Sequence, residues 1–505
     1  MANARNGKRR LSLLDASFLY AESMVAPTHG GAIFVLEGEL PYDQVLTHMR
    51  QRLHLSPRFR QRLVFAPFNL AHPTLEDDPD FKLENHVRHQ QLPSGISEAD
   101  AVQEIVRQHF GRVMDRTRPL WDVILFEGVP GRSLLVWAMH HALVDGVSGF
   151  EMLNGLMDFT PNPPPSAAVP EPREPAHLPS MPESFVSAAH DLAVEQIDQV
   201  FDAIQEFMRD PTSLSQQVET LLAATRLIGE VSQPPVATPW NGGITIGERH
   251  LAHLKTPFAG YRAIRAAFGG TINDIVLAVL GEGAARYLKH HGWPTDGILR
   301  FGCPVNVRRP GEEIVLENRV SAMMPSTPAA PLDMVKRLKS ISEQTARLKQ
   351  SGAAYTMERM MSLAAAIPPA LLGVVSALGA ISTQFMAGIY RISNWRPTPS
   401  GFATPAAGIS FVATNVPGPQ TPWYFAGHKV TDMFGLLPLP SNIGYGVGIS
   451  SYDEHIIFSM MADALMIPDV DQMKVFVQEA FDDLIHRVPV NIDRQSVSAT
   501  RAEAA

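Results

Sequence analysis

A mixed α/β fold in two domains is what this sequence predicts, and three observations carry that expectation. At 505 residues the chain is longer than one hydrophobic core usually supports. Short β-rich runs alternate with helix-period stretches in both halves, the pattern of mixed sheets covered by helices. Between the halves, from Thr160 to Pro182, prolines without an N–H recur too often for a strand or a helix. The chain therefore divides into residues 1–159, a linker over 160–182, a second domain over 183–490 that begins with a helical crossover, and a frayed tail over 491–505.

In the first half, Asp122 to Glu127 and Ser133 to His141 are two apolar runs separated by Gly128-Val129-Pro130-Gly131-Arg132, which reads as a hairpin. Gly146 follows, and then Val147, Phe150, Leu153 and Met157 recur at helical spacing. After the linker, Phe185, Ala189, Leu192, Ile197, Val200, Ile204 and Met208 form the stripe of an amphipathic helix that Asp210-Pro211 ends. Thr271 can cap a further helix carrying Ile272, Ile275, Val276, Val279, Leu280 and Leu288, with Gly292 just beyond it. Strands are expected at Leu299 to Val307, Gly408 to Thr414, Val447 to Tyr452 and His455 to Met461, the last two joined at Asp453-Glu454.

Composition narrows the function classes. Hydrophobic residues make up 45% of the chain and charged residues only 18%, which suits a globular body with an apolar cleft or face. A formal net charge of −9 argues against nucleic acid as the main partner, because phosphate neutralisation needs clustered Lys and Arg. Cys303 is the one cysteine, so neither an intrachain disulfide nor a multi-cysteine metal site is available, and a reducing cytoplasm is the expected location. The basic start, Met1 to Arg10, is followed by an apolar run that meets Asp15 before reaching signal-peptide length. Met360 to Tyr390 carries no charged side chain, yet Pro368-Pro369 interrupts it, so buried helices or an interfacial segment are expected rather than a span.

The sharpest chemical signal is His140-His141-Ala142-Leu143-Val144-Asp145-Gly146, an HHxxxDG pattern at a strand end. Chance would give those four fixed residues in a chain of this length roughly once in a thousand. Strand alternation separates the histidines: His140 shares a face with Leu134, Val136 and Ala138, and His141 with Leu135, Trp137 and Met139. A histidine near neutral pH can take a proton from an alcohol as its oxygen attacks a thioester, so one of His140 and His141 is the candidate general base and the other a supporting residue. Asp145 reads as a structural charge paired with an arginine, with Gly146 permitting the backbone turn. A metal site on His141 and Asp145 lacks further ligands at useful spacing, so no metal is expected. Gly146-Val147-Ser148-Gly149-Phe150 misses the last glycine of a serine-hydrolase elbow, and Cys303 reads as a buried strand residue.

With its preceding RPLWDVILFEG, the HHALVDG stretch resembles the bacterial wax ester synthase/diacylglycerol acyltransferase family. The opening LSLLDASFLYAESMVAPTHGGAIFVLEG, then PRFRQRLV, NDIVLAVLGEGAARYL, PVNVRRPG, NVPGPQTPWYFAG and GYGVGISSYDEHIIFSMMAD are similar to that family's blocks in its order. The resemblance covers roughly Leu11 to Asp469. It implies two chloramphenicol-acetyltransferase-like CoA-dependent domains with a tunnel between them, the second motif histidine, His141, as base, and the motif aspartate, Asp145, linked to an arginine that matches Arg308. It further implies acyl-CoA as substrate with no bound cofactor, and a long-chain alcohol or a diacylglycerol as acceptor. Peripheral association with the inner membrane or lipid bodies goes with such substrates.

Asn273-Asp274 matches the family's ND pair. With Thr271 as cap, Asn273 falls in the first helical turn, where free N–H groups favour developing negative charge. Oxyanion stabilisation by Asn273 and simple capping by both residues stand as two readings. Pro119-Leu120-Trp121 and Asn415 to Pro419 read as architectural, a Trp anchor and a Pro-Gly turn. Two other classes remain open on sequence alone: a lipid-binding or droplet-coating protein that kept the fold without catalysis, and a condensation-type enzyme fed by a carrier protein.

Overall fold

The computed structural model describes residues 9–144, 146–163, 233–241, 247–306, 320–350, 408–439 and 443–489. Most of the proline-rich stretch, the helix expected over Phe185 to Met208, the uncharged stretch Met360 to Tyr390, the tail, Asp145 and Arg308 lie outside these residues. In the first half the elements are β1 (Arg9–Arg10), α1 (Leu13–Ala21), β2 (His29–Glu37), α2 (Tyr42–Arg52), β3 (Gln61–Val64), β4 (Thr74–Asp77), β5 (Val87–Gln91), α3 (Glu98–His109), β6 (Trp121–Glu127), β7 (Arg132–His140) and α4 (Gly146–Leu156). The second half contributes β8 (Arg249–Pro257), α5 (Phe258–Phe268), α6 (Ile272–His290), β9 (Ile298–Asn306), β10 (Val320–Met323), β11 (Ser326–Pro328) and α7 (Met334–Gln350). It continues with β12 (Phe411–Val416), β13 (Tyr424–Phe425), β14 (His428–Leu436), β15 (Tyr445–Tyr452), β16 (His455–Asp463) and α8 (Val470–His486).

Two large mixed sheets result. One runs β13-β14-β2-β7-β6-β5, and the other runs β10-β9-β12-β15-β16-β8 with β11 also on β9; β1, β4 and β3 form a small third sheet. The expected hairpin is present as β6 and β7, paired antiparallel from Trp121 opposite Met139 to Phe126 opposite Leu134. Gly128 and Gly131 take positive φ in its loop, 129° and 65°, which only glycine adopts without strain. The β15–β16 hairpin turns at Asp453 and Glu454, both with positive φ, the mirror-image turn whose twist suits two-residue hairpins.

Each half has its own core. In the first, Trp121, Trp137 and Phe59 pack ring against ring, and the Trp121 indole N–H donates to the Phe59 carbonyl at 2.9 Å. In the second, α6 is buried on nearly every side from Asp274 to Leu288, packed between α7 and α8, which explains why its sequence is apolar around the helix rather than along one stripe. Among the described residues no single helix is long and apolar enough to cross a membrane; α5 and α6 pass together by composition but are bent by 99°.

The halves are joined by exchange as well as by contact. Strand β14 belongs to the second half by sequence, yet it pairs along β2 in the first-half sheet, from Val430 opposite Leu36 to Leu436 opposite Gly31. From the other side, Gln103 on α3 bridges the edge of β8, accepting from Leu251 N–H and donating to the Arg249 carbonyl, each at 3.0 Å. Arg249 itself is buried, paired with Asp463 at 2.7 Å, and reaches across to the Val25 carbonyl at 2.9 Å.

Candidate active site

Strand β7 ends at His140, and the chain then folds into a turn closed by Leu143 N–H on the His140 carbonyl at 3.0 Å. His141 opens that turn, its N–H bonded to the Thr28 carbonyl at 3.1 Å. The two rings face different surroundings, as strand alternation requires. His140 is fully buried and lies opposite His29 of β2. Its Nδ1 accepts from Ala142 N–H at 3.0 Å, so the Nε2–H tautomer points at Thr28 Oγ1, 3.0 Å away, and at Glu22 Oε1, 3.4 Å away.

His141 is only half-buried. Its ring stacks on Phe18, centroids 5.0 Å apart and planes 21° from parallel. Its Nδ1 edge is buried, and Nε2 faces Gly30 so closely that a Cβ there would come within 3.3 Å of it. Gly30 lies opposite Met139, on the face that the sequence assigns to His141. The same imagined Cβ would sit 2.8 Å from the Leu436 carbonyl and 3.5 Å from the Pro438 ring, so the end of the exchanged strand β14 closes over the position. At Gly31 a Cβ would fall 1.9 Å from the Trp137 carbonyl. The Gly30-Gly31 pair is therefore what lets β2 run this close to its neighbours.

Beneath the histidines lies a carboxylate. Burial would raise the Glu22 carboxyl, but His140, the Thr28 N–H at 3.0 Å and Arg116 at 2.9 Å hold it down to about 2, so Glu22 is charged. Glu22 and Thr28 lie inside the LSLLDASFLYAESMVAPTHGGAIFVLEG block and Arg116 lies apart, and no spacing links any of the three to the histidines.

From the second half, α6 starts at a capping box: Thr271 Oγ1 accepts from Asp274 N–H at 3.2 Å, and Asp274 accepts from Thr271 N–H at 2.8 Å. Asp274 is buried and also accepts from Thr345 at 2.7 Å, a structural assignment with all its oxygens engaged. Asn273 takes no part in the cap. Its Oδ1 accepts from Asn415 Nδ2 at 3.2 Å, which ties the ND pair to the NVPGP segment. That segment packs tightly, because a Cβ on Gly418 would lie 2.2 Å from the Ser451 carbonyl and 3.1 Å from the ring of Phe150. Phe150 is on α4, and α4 packs against β12, whose end carries Asn415. Helix α4, which follows the turn after β7, and the start of α6 thus both border the end of β12.

Gly146 is the first residue of α4. Asp145 and Arg308, expected to pair, fall outside the described residues. Cys303 is buried in β9, where burial pushes its thiol up to about 12, far from a nucleophilic thiolate at neutral pH. Among the described residues no cluster of three or more His, Cys, Asp or Glu side chains could hold a metal ion.

Residues 11–276 match the wax ester synthase/diacylglycerol acyltransferase catalytic domain, and residues 316–485 match the C-terminal domain of the same family. A putative diacylglycerol O-acyltransferase of Mycobacterium bovis is 28% identical over 94% of this chain and 95% of its own length. A probable diacylglycerol O-acyltransferase of Mycobacterium tuberculosis is equally similar over the same shares. In fold, the chain is similar to the wax ester synthase/diacylglycerol acyltransferase of Marinobacter aquaeolei VT8, with TM-score 0.61, 21% identity and 94% and 98% of the two chains covered. The first condensation domain of the CDA synthetase shares the fold at TM-score 0.59 and 13% identity, over 95% of this chain and 97% of the other. The two mixed sheets thus follow the fold of these two solved structures, and the family matches define an acyltransferase. Within that class, the chain belongs to the wax ester synthase/diacylglycerol acyltransferase family.

Proposed function

We propose that this acyltransferase moves a fatty acyl group from acyl-CoA to the hydroxyl of a diacylglycerol or a long-chain alcohol, with His141 as general base. The observation that carries the reading is the contrast between the two histidines: His140 is sealed in a hydrogen-bonded network, while His141 is half-buried with Nε2 turned toward Gly30. In this scheme His141 Nε2 takes the hydroxyl proton, the alkoxide oxygen attacks the thioester carbonyl, the C–S bond breaks, and the proton passes to the CoA sulfur. The oxygen of the tetrahedral intermediate is stabilised by Asn273, whose side chain is free of capping duty. Asp145 and Arg308 are a structural pair in this reading, inferred from the family's motifs alone. No acyl-enzyme forms.

Diacylglycerol heads the acceptor classes because the curated relatives are named for it. The scheme places the enzyme in the cytoplasm, peripheral to the inner membrane or lipid bodies where such acceptors reside. The test is thiol release from an acyl-CoA measured against a panel of diacylglycerols and fatty alcohols. Release is expected to require an acceptor and to fall by about 10² to 10⁴ in His141→Ala. Acceptor-independent release, or more than half of wild-type turnover in His141→Ala, would overturn the reading.

A further inference from the structure

The two motif histidines are held by one residue outside the motif. Thr28, the residue immediately before β2, is buried and uses every polar group it has. Its N–H donates to Glu22 Oε1 at 3.0 Å, and its hydroxyl donates to the Phe18 carbonyl at 3.0 Å while facing His140 Nε2 at 3.0 Å. Its carbonyl accepts the His141 N–H at 3.1 Å. Phe18, whose backbone carbonyl takes that hydroxyl bond, is also the residue whose ring stacks on His141. His141 is therefore gripped twice through Thr28, once at its backbone and once at its imidazole.

Glu22 is the anchor of this grip. Its side chain is 2% exposed and meets Arg116 Nη2 at 2.9 Å and Nε at 3.3 Å, and Arg116 also donates to the Leu19 carbonyl at 2.9 Å. The end of α1, the start of β2 and the turn after β7 are pinned together by these bonds. A half-exposed imidazole otherwise has two freely rotating side-chain torsions, and general-base catalysis is sensitive to displacements of about 1 Å.

We propose that Glu22 and Thr28 are positioning residues for this acyltransferase, fixing the His141 ring through the Thr28 carbonyl and through Phe18. The inference rests on His141 being the general base. It assigns a reason for two residues that lie outside the HHxxxDG motif yet contact its histidines.

The test is Thr28→Val against Thr28→Ser. Valine keeps the size, the β-branch and both backbone bonds but removes the hydroxyl, whereas serine keeps the hydroxyl. Thr28→Val is expected to lower kcat about tenfold with KM for acyl-CoA within about twofold, and Thr28→Ser to stay within about twofold of wild type. In a His141→Ala background, Thr28→Val is expected to change the residual rate by less than about twofold, because it acts through the missing ring. Equal kcat in Thr28→Val and Thr28→Ser, or a full further loss in the His141→Ala background, overturns the proposal. If Thr28→Val does not fold, Phe18→Leu must show the same kcat-selective loss, and an unchanged kcat there overturns it as well. Wild-type turnover in His141→Ala would instead overturn the general-base reading and this inference with it, a result distinct from an essential His141 whose rate ignores Thr28.

Discussion

Asn415 donates its side-chain amide to Asn273 Oδ1 across 3.2 Å, joining the end of β12 to the first turn of α6. The neighbouring Asp274, not Asn273, forms the capping box with Thr271. Stability and turnover are therefore expected to separate along this dipeptide. Asp274→Ala should cost about 1 kcal/mol or more of stability through the lost cap. Asn273→Ala should leave the thermal midpoint near wild type and lower turnover about 10²-fold, with acyl-CoA affinity little changed. Both quantities measured on one preparation decide the matter: normal turnover in Asn273→Ala would remove it from the chemistry and leave backbone donors near His141 as the alternative.

Gly30 offers a steric test of the same site. A methyl group there would press on the Leu436 carbonyl at 2.8 Å, a backbone atom held in the β14–β2 pairing, and on His141 Nε2 at 3.3 Å. Overpacking of this kind costs about 1 to 3 kcal/mol. Gly30→Ala should lower the thermal midpoint and also reduce kcat at temperatures where the variant is fully folded, because the imidazole or the strand end must move. Wild-type kcat in the folded variant would show that Nε2 has room to spare.

Much of this fold was legible because its signals are local. The β6–β7 hairpin has long apolar runs and a glycine-proline-glycine loop, and the α6 start has Thr271 three residues before Asp274. Strand β14 was not legible, because a bulge between Val430 and Asp432 breaks its alternation and its partner β2 lies some 400 residues away. Alternation separates the two histidines onto different faces, and the resemblance of the HHxxxDG motif singles out His141. What supports them was not legible: Glu22 and Arg116 are 94 residues apart, Thr28 and His140 are 112 apart, and only the closed sheet brings them together. Asn415 read as part of a turn, because a side-chain bond to Asn273 leaves no trace in spacing.

Cys303 is expected to be a bystander. Its thiol is buried and pushed up to about 12, so native protein at pH 8 should resist maleimide and become reactive only on unfolding. Cys303→Ala should retain kcat within about twofold and lose about 1 kcal/mol of stability from the small cavity left in β9. Mass spectrometry of an acyl-CoA-treated sample should find no acyl group on Cys303, and trapping one would replace direct transfer with a covalent intermediate.

Glu22 makes the stability of the site depend on acid pH in a definite direction. Its carboxyl falls from an ordinary 4.5 to about 2 on folding, despite burial, because His140, Thr28 N–H and Arg116 bind its charged form. A lowered folded value means that the contribution is complete above pH 4.5, shrinks as pH falls from there, and is gone near pH 2. The difference corresponds to about 3 kcal/mol at neutral pH. Glu22→Gln keeps the shape and the acceptor oxygen but cannot carry the charge, so its titration contributes nothing. Thermal midpoints of wild type and Glu22→Gln, measured side by side from pH 7 to pH 2.5, should be furthest apart and parallel above pH 5, then converge as the medium becomes acid. A gap that is constant across the range would mean that the variant merely perturbs packing, and a gap that widens toward acid would mean that Glu22 is protonated in the folded protein, with its charge no longer available to hold Arg116 and His140 in place.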